Sequence, residues 1–581
     1  MSEPRRDKAS EADTTRKTEC ETAPDASSAP TVAAGILTSR ILGFVRERAV
    51  AHFFGVGAHA DVFQVAFRGP NLLQNLLGEG TISAAFIPIY SRLIEEGREE
   101  DAGRFAGAIF GLLLAVAAGL SLLGILLARP IVTVFTPGFL NDAALVASGE
   151  LPINRFELAV QAVRIIFPMT GFLVLAAWCL GVLNSHRKFF LPYFAPVIWN
   201  VAIISALLAT AAVLLGGQSG GLDGIWNFAA ISTGQRNDLL FAAFYGALFG
   251  GLLQFAIQLP LVFRVLRGFR VSISTRIEGV REALRAFGPV VAGRGVYQLS
   301  SYLDIFLGSF LAAGAVSSLR YAQMLYILPV SLFGLSIAAS ELPELSRFSS
   351  AKIDAFTSRL NQSLGQMLFM TVPTLVGYLI FGLLIVGAIF QTGEFGPDDT
   401  WLVYLVLGTY SVGLLATTTS RLLQNAFYAL NNTRTPAKIA ALRVAVSAVV
   451  AIPLMFVLDG LSVGRVTGIA PSDNPLFLGA VGLAVGATVG AWIELWRLKS
   501  SLSSMVPVFQ LPWRRVRRMT ATALFAVVPA LLVWWLTSDW HVALEGALVV
   551  ATYAFVYLGA SYLQDAPEMQ RWTGRLRGRS S

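Results

Sequence analysis

Residues 107–128, GAIFGLLLAVAAGLSLLGILLA, run for twenty-two positions without one charged side chain. As an α-helix rising about 1.5 Å per residue the stretch is about 33 Å long, which matches the hydrocarbon core of a bilayer. A helix apolar on every side faces lipid or a large core, because it has no stripe to turn toward water. The whole chain follows this lead. Of its 581 residues 55% are apolar and only 14% are charged, with a mean hydropathy of +0.63. Soluble domains carry about 25% charged residues, so much of this surface must meet lipid. The 53 glycines suit helices that pack closely through small residues.

Working outward from residues 107–128, the sequence predicts about fourteen transmembrane helices. They fall near 31–51, 62–92, 104–128, 157–183, 189–215, 239–264, 287–312, 318–346, 360–390, 401–428, 438–458, 475–497, 519–536 and 541–563. The first, second, seventh and eighth carry charges that a plain hydropathy window passes over. Basic residues sort by loop. Arg264, Arg267, Arg270, Arg276, Arg281 and Arg285 follow the sixth span, and Arg497, Lys499, Arg514, Arg515, Arg517 and Arg518 follow the twelfth. Residues 360–420 contain no Lys or Arg at all. Even-numbered loops and both termini are therefore expected to be cytoplasmic. This alternation accounts for the net charge of +8 without invoking nucleic acid.

The halves echo each other. Ile82, Ala84, Pro88, Ser91 and Arg92 recur at the same spacing as Ile337, Ala339, Pro343, Ser346 and Arg347. An even number of helices per repeat preserves orientation, so the repeats are parallel about an axis along the membrane normal. The expected fold is an all-α integral membrane protein, with two pseudo-symmetric six-helix lobes around a central cavity and two additional C-terminal helices. The expected divisions are a disordered cytoplasmic tail (1–30), an N-terminal lobe (31–265), a basic cytoplasmic linker (266–286), a C-terminal lobe (287–500), two further transmembrane helices (501–563) and a basic tail (564–581).

Enzyme chemistry finds no foothold. None of the six lysines follows a glycine, so no G-K-[ST] phosphate loop exists. There is no H-E-x-x-H and no C-x-x-C, and Cys20 and Cys179 stand far apart. Gly217-Gln218-Ser219-Gly220-Gly221 fits a serine-nucleophile pattern but follows a membrane helix, without the strand-turn-helix context that exposes the serine. No catalytic residue, metal or cofactor is expected.

The informative residues are charges within apolar helices, each costing about 2.5–3.5 kcal/mol at the bilayer centre unless it faces a cavity or partner. The first two spans hold Arg40, Arg46, Glu47, Arg48, Asp61, Arg68 and Glu79. The seventh offers Arg294 and Asp304, the eighth Arg320 and Glu341, the tenth Arg421. Converging arginines suit an anionic cargo, since guanidinium meets phosphate in a bidentate fork. Arg40 and Glu79 lie well inside their spans. Asp61 stands at a helix start and suits a cap as well as a cavity. Asp304 suits either a coupling cation or an arginine partner.

Ser39-Arg40-Ile41-Leu42-Gly43-Phe44-Val45-Arg46-Glu47, Phe54-Gly55, Asp61, Phe63, Ala66-Phe67, Pro70-Asn71-Leu72-Leu73, Glu79-Gly80 and Ala85-Phe86-Ile87-Pro88 together resemble the MurJ/MviN lipid II flippase family. Tyr410-Ser411-Val412-Gly413-Leu414, Phe427-Tyr428-Ala429 and Thr433-Arg434-Thr435-Pro436 agree with it. The resemblance implies two six-helix lobes plus two helices in the bacterial cytoplasmic (inner) membrane. It implies alternating-access transfer of lipid II, the undecaprenyl-pyrophosphate-linked peptidoglycan precursor, to the periplasmic leaflet. A sodium or proton gradient or the membrane potential would drive it, with membrane lipids and cell-envelope synthesis machinery as partners. Carried over by position, the substrate cavity would hold Ser39, Arg40, Arg46, Glu47, Asp61, Arg68 and Glu79, with Arg320 in the eighth helix, and Asp304 would serve ion coupling.

Two departures stand out. Where the family has arginine after Pro-Asn-Leu-Leu, this chain has Gln74 and Asn75; where it has an Asp-Arg pair in the eighth helix, this chain has Gln323 and Met324. Arg320 lies one turn before Met324 on the same face and is the expected substitute for the second loss. The departures motivate a paralogous flippase for another polyprenyl-linked glycan. An ion-coupled multidrug exporter of cationic compounds is disfavoured by the arginine-rich first helix, and a scaffold without transport by the intramembrane charges.

Overall fold

The computed structural model describes residues 29–216, 231–347, 353–468, 475–506, 509 and 511–570. The expected N-terminal tail, the Gly217–Gly221 motif and most of the basic C-terminal tail lie outside them. The described residues are helical throughout, apart from loops and one isolated bridge between Ser462 and Phe477. A membrane solvent dictates this, because each backbone N–H and C=O in hydrocarbon must be satisfied within its own segment. Among the described residues ten helices are long and apolar enough to cross a membrane, or up to twelve if each of two bent pairs is one span.

The ten fall on expected spans three to six, eight, nine and eleven to fourteen. The tenth is the bent pair Pro397–Val412 and Leu414–Ala429, turned by 41°. The expected first, second and seventh spans are helical but too charged or too broken to meet that test, so length and apolarity alone do not establish fourteen.

The second span departs most from its expected continuous form. It is built of four pieces, Ala58–Ala66, Arg68–Leu77, Glu79–Ala85 and Ile87–Glu95. Gly78 breaks it by adopting ψ −149°, and a Cβ there would run into the Gln74 carbonyl. Pro88 then opens the last piece, where its missing N–H costs nothing.

A second difference lies after residue 128. Where a loop was expected, Ala128–Phe135 and Pro137–Ala147 form a pair folded by 108°. Gly138 allows the closeness: a Cβ would strike the backbone of Ser309.

The C-terminal helices are fixed by a proline's consequences. Pro373, inside Ile353–Phe390, has no N–H to offer the carbonyl four residues back, Phe369. The Tyr557 hydroxyl donates to that orphaned oxygen at 2.8 Å, and Tyr553 donates to the Pro373 carbonyl at 2.8 Å. Both tyrosines project from Val542–Leu563, so this helix docks where the long helix most needs donors. Their rings join the apolar cluster of Phe369 and Phe381.

The chain between the sixth and seventh spans is strapped to the protein. Gly103, Gly107 and Gly111, spaced by four, form a bare stripe along Glu99–Leu126. Such stripes usually admit another helix. Here they admit a non-helical stretch of chain: the carbonyls of Arg267, Arg270 and Ser272 lie where Cβ atoms of those glycines would be. The Ser272 N–H donates to the Gly107 carbonyl at 3.3 Å, and ion pairs Arg98–Glu278 (2.6 Å) and Arg267–Glu99 (2.7 Å) tie the ends. The expected linker of 266–286 thus ends early, since helix Val280–Ser301 starts at 280. Gly107→Val is expected to expel the strap and cost roughly 1–3 kcal/mol, the scale of overpacking. A thermal melt of the purified variant checks this; an unchanged midpoint would show that the strap is not held by the stripe.

Candidate functional site

The site grows from one buried carboxylate. Glu47 lies on the first helix, seven residues before its end at Phe54, and is 2% exposed. A carboxylate there persists only if donors surround it. Arg46 donates from Nη2 to Oε1 at 2.7 Å, Gln64 from Nε2 to Oε2 at 3.1 Å, and Arg320 stands 3.5 Å from Oε1. The Arg46 guanidinium is held further by Asn200 Oδ1 at 2.9 Å and lies 4.8 Å from the Trp199 ring centre. Trp199 is fixed in turn, its indole N–H donating to the Ala247 carbonyl at 3.1 Å.

Arg46, Glu47, Gln64, Trp199 and Arg320 line a small cleft of about 60 Å³ with Phe63, Phe67, Arg68 and Asn71. One wall is aromatic and the others cationic. Arg68 has no carboxylate within ion-pairing distance among the described residues. Three guanidinium groups and one carboxylate thus line the cleft. Of the two that touch Glu47, Arg320 is the looser, its side chain 36% exposed and 3.5 Å from the carboxylate against 2.7 Å for Arg46. The arrangement can bind an anion that takes over the donors Glu47 now holds.

Beyond Phe54 the two halves meet. Val56 N–H donates to Asp399 Oδ2 at 3.2 Å, Tyr321 donates to the Gly55 carbonyl at 3.2 Å, and Glu394 N–H to the His52 carbonyl at 2.9 Å. Gly55 has φ +58°, and a Cβ there would sit 2.7 Å from the Glu394 carbonyl. Across the same face Arg236 pairs with Glu394 at 2.9 Å. Burial pushes the Glu394 carboxyl upward, with Arg236 opposing the shift. This face is closed.

Asp61 belongs to that closure. Fully buried, it accepts the N–H groups of Gly314 and Ser317, both at 2.8 Å, capping helix Ala315–Pro329 from the other half of the chain. Arg155 approaches it at 3.4 Å while gripping Asp142 at 2.8 and 2.9 Å. Asp61 neither lines the cleft nor caps its own helix, which starts at Ala58; the helix it caps, Ala315–Pro329, belongs to the other half of the chain.

The other expected residues divide. Arg46, Glu47, Arg68 and Arg320 come together in the cleft. Arg40 is exposed and Ser39 half-buried, and neither lines it. Glu79 opens helix Glu79–Ala85, and its side chain lies outside the described residues, as does that of Arg294. Asp304 accepts from Gln323 Nε2 at 2.9 Å, and the same amide lies 3.2 Å from the Tyr410 hydroxyl. Gln323, where an acid was expected, thus serves Asp304. Among the described residues no three or more His, Cys, Asp or Glu side chains gather as a metal site.

Sequence reasoning missed Asn200, Trp199 and Gln64, and the Arg155–Asp142 pair. Asn200 offered a signal as a lone amide amid the apolar span Phe190–Gly216. Asp142 and Arg155 offered none, because the turn that joins them was not foreseen.

A protein-family model described as lipid II flippase MurJ matches residues 50–555. A probable lipid II flippase MurJ from Rhizobium tropici is 31% identical over 475 residues, covering 80% of this chain and 81% of that one. Another from Vibrio cholerae is 28% identical over 508 residues, covering 87% of each. A solved structure of lipid II flippase MurJ in an inward closed conformation superposes with a TM-score of 0.65 at 22% identity, covering 92% of this chain and 98% of that one. That structure shares the fold. With the family model spanning residues 50–555 and a relative 31% identical across four-fifths of both chains, this chain belongs to the lipid II flippase MurJ family.

Proposed function

We propose that this protein carries lipid II across the bacterial inner membrane, from the cytoplasmic to the periplasmic leaflet. The names of the relatives supply the cargo. The observation that carries the reading is the convergence of Arg46, Arg68 and Arg320 on a cleft around the single acid Glu47. The pyrophosphate of the cargo, esterified at both ends, is a dianion and would replace Glu47 as the partner of Arg320 and Arg46. Glu47 keeps the arginines ordered while the cleft is empty, so the charge cluster costs less before loading. The cleft suits a pyrophosphate and not a whole disaccharide-peptide head, so loading requires the halves to part on the side away from Asp61 and Asp399.

In this reading the chain has fourteen spans, two lobes of six with spans thirteen and fourteen appended, and cytoplasmic termini. The basic strap lies on the cytoplasmic side and the Asp61 closure on the periplasmic side, which the loop charges support. The membrane potential drives transfer of the anionic cargo outward, alone or with a cation such as sodium or a proton, and Asp304 is the coupling carboxylate. Envelope-synthesis enzymes would supply and consume the lipid on either side.

Expression in a bacterium depleted of its own lipid II flippase tests the proposal. Growth and cell shape should be restored. Lysis despite normal insertion of the full chain would refute it.

A further inference from the structure

The second half of the chain contains a charged node built like the one around Glu47. Glu494, on helix Gly479–Met505, is 2% exposed. Its Oε2 accepts from Arg443 Nη1 at 2.6 Å and its Oε1 from Gln424 Nε2 at 2.8 Å. In the first node, Glu47 likewise gives one oxygen to an arginine and the other to a glutamine. The three residues come from three different helices, Leu414–Ala429, Arg434–Asp459 and Gly479–Met505. Nothing in the closure or the cleft uses them.

The node carries surplus positive charge within apolar helices. Arg443 keeps 29% of its side chain exposed while paired. Arg421, half-buried and one turn before Gln424, has no carboxylate within ion-pairing distance among the described residues. Tyr326 links the node to the residues around Asp304: its hydroxyl donates to Thr417, one turn before Arg421, at 2.9 Å, and its ring lies 5.4 Å from that of Tyr410, which shares the Gln323 amide with Asp304. Arg421 is thus the arginine of this node left without an acid partner among the described residues, and a charge within apolar helices calls for a cavity or a counter-charge.

Depth separates the nodes. Glu47 is seven residues, about 10 Å, from the closed-face end of its helix at Phe54. Arg443 is sixteen residues, about 24 Å, from the closed-face end of its helix at Asp459. The second node thus lies about 14 Å nearer the strap face along the helix axes.

We propose that Arg443 and Arg421, ordered by Glu494 and Gln424, form a second anion subsite that takes an acidic group of the cargo on the strap side of the Glu47 cleft. The inference rests on the transport reading above. The acidic group is either the pyrophosphate, received before it reaches the Glu47 cleft, or a carboxylate of the attached peptide.

Binding to the purified full-length protein in detergent tests this, with lipid II and undecaprenyl pyrophosphate as separate probes. The double variant Arg443→Gln/Glu494→Gln removes the pair together, so no orphan acid is left buried, and Arg421→Gln removes a charge that has no acid partner. The double variant is expected to bind lipid II at least tenfold more weakly, and Arg421→Gln at least threefold, each with an unchanged melting temperature. Equal weakening of both probes identifies the pyrophosphate as the group bound; weakening of lipid II alone identifies the peptide carboxylate. Arg46→Gln is the control for the transport reading. Lipid II binding within twofold of the parent in both test variants, with binding lost in Arg46→Gln, would overturn the second subsite and leave the transport reading intact. Unchanged binding in all three variants would overturn both. Should the double variant fold poorly, Arg421→Gln alone decides between these outcomes.

Discussion

Replacing Arg46 by alanine is expected to abolish rescue of a flippase-depleted bacterium, with the protein still inserted. Arg46 is the one side chain that touches the acid, the amide and the aromatic wall of the cleft at once. Truncating one member of a desolvated, hydrogen-bonded charge pair costs about 2–5 kcal/mol in binding, or a loss of roughly 30-fold to several thousandfold in affinity at 1.4 kcal/mol per decade. The fold survives, since Gln64 and Arg320 still attend Glu47. Arg40→Ala is the informative comparison. Arg40 lies outside the cleft and is exposed, so its loss should weaken rescue less. Full rescue by Arg46→Ala, measured as growth at parental rate, would remove the cleft from the mechanism.

Asp61→Ala is expected to produce the largest loss of stability. The carboxylate satisfies two buried N–H donors, those of Gly314 and Ser317, and draws Arg155 toward it. Each abandoned donor costs about 1–3 kcal/mol, so a total of about 3–5 kcal/mol is expected, like that of breaking a buried pair. Because the bonds cross between the two halves, the closure should also loosen. A cysteine introduced as Gly57→Cys, where a Cβ meets no neighbour, reports this through its labelling rate with an impermeant maleimide. Faster labelling and a lower melting temperature are expected in the Asp61→Ala background. No change in either would mean that Asp61 does not hold the face shut.

Much of the fold was legible because the bilayer restricts the choices. Apolar runs such as residues 107–128 have one reading in lipid, and ten such helices lie where their hydropathy placed them. What escaped was shape below the length of a span. Gly78 and Pro88 announced irregularity in the second span, but its division at Phe67 and Phe86 depends on tertiary packing that no local pattern encodes. The turn at Pro137-Gly138 was missed because the residues after 128 read as a loop, the two helices there being too short to announce themselves by periodicity. At the site, charge within an apolar span and the family resemblance brought Arg46 and Glu47 to attention, while proximity across the chain decided the rest. Glu47 meets Gln64 and Arg320, separations that sequence periodicity does not span. Asp61 shows the converse: its sequence signal was strong and its place was the closure. The glycine stripe at Gly103, Gly107 and Gly111 was readable as a close-packing surface, but its occupant, a non-helical stretch of the linker, was not.

The central claim is that the arginine cleft around Glu47 carries lipid II from one leaflet to the other. Reconstitution of the purified chain into vesicles with labelled lipid II tests it most directly, by following how much label becomes accessible at the opposite leaflet after a membrane potential is imposed. The account predicts transfer well above protein-free vesicles by the parent and transfer at the protein-free level by Arg46→Ala. Equal transfer by the parent and Arg46→Ala, or none by a correctly folded parent, would contradict it.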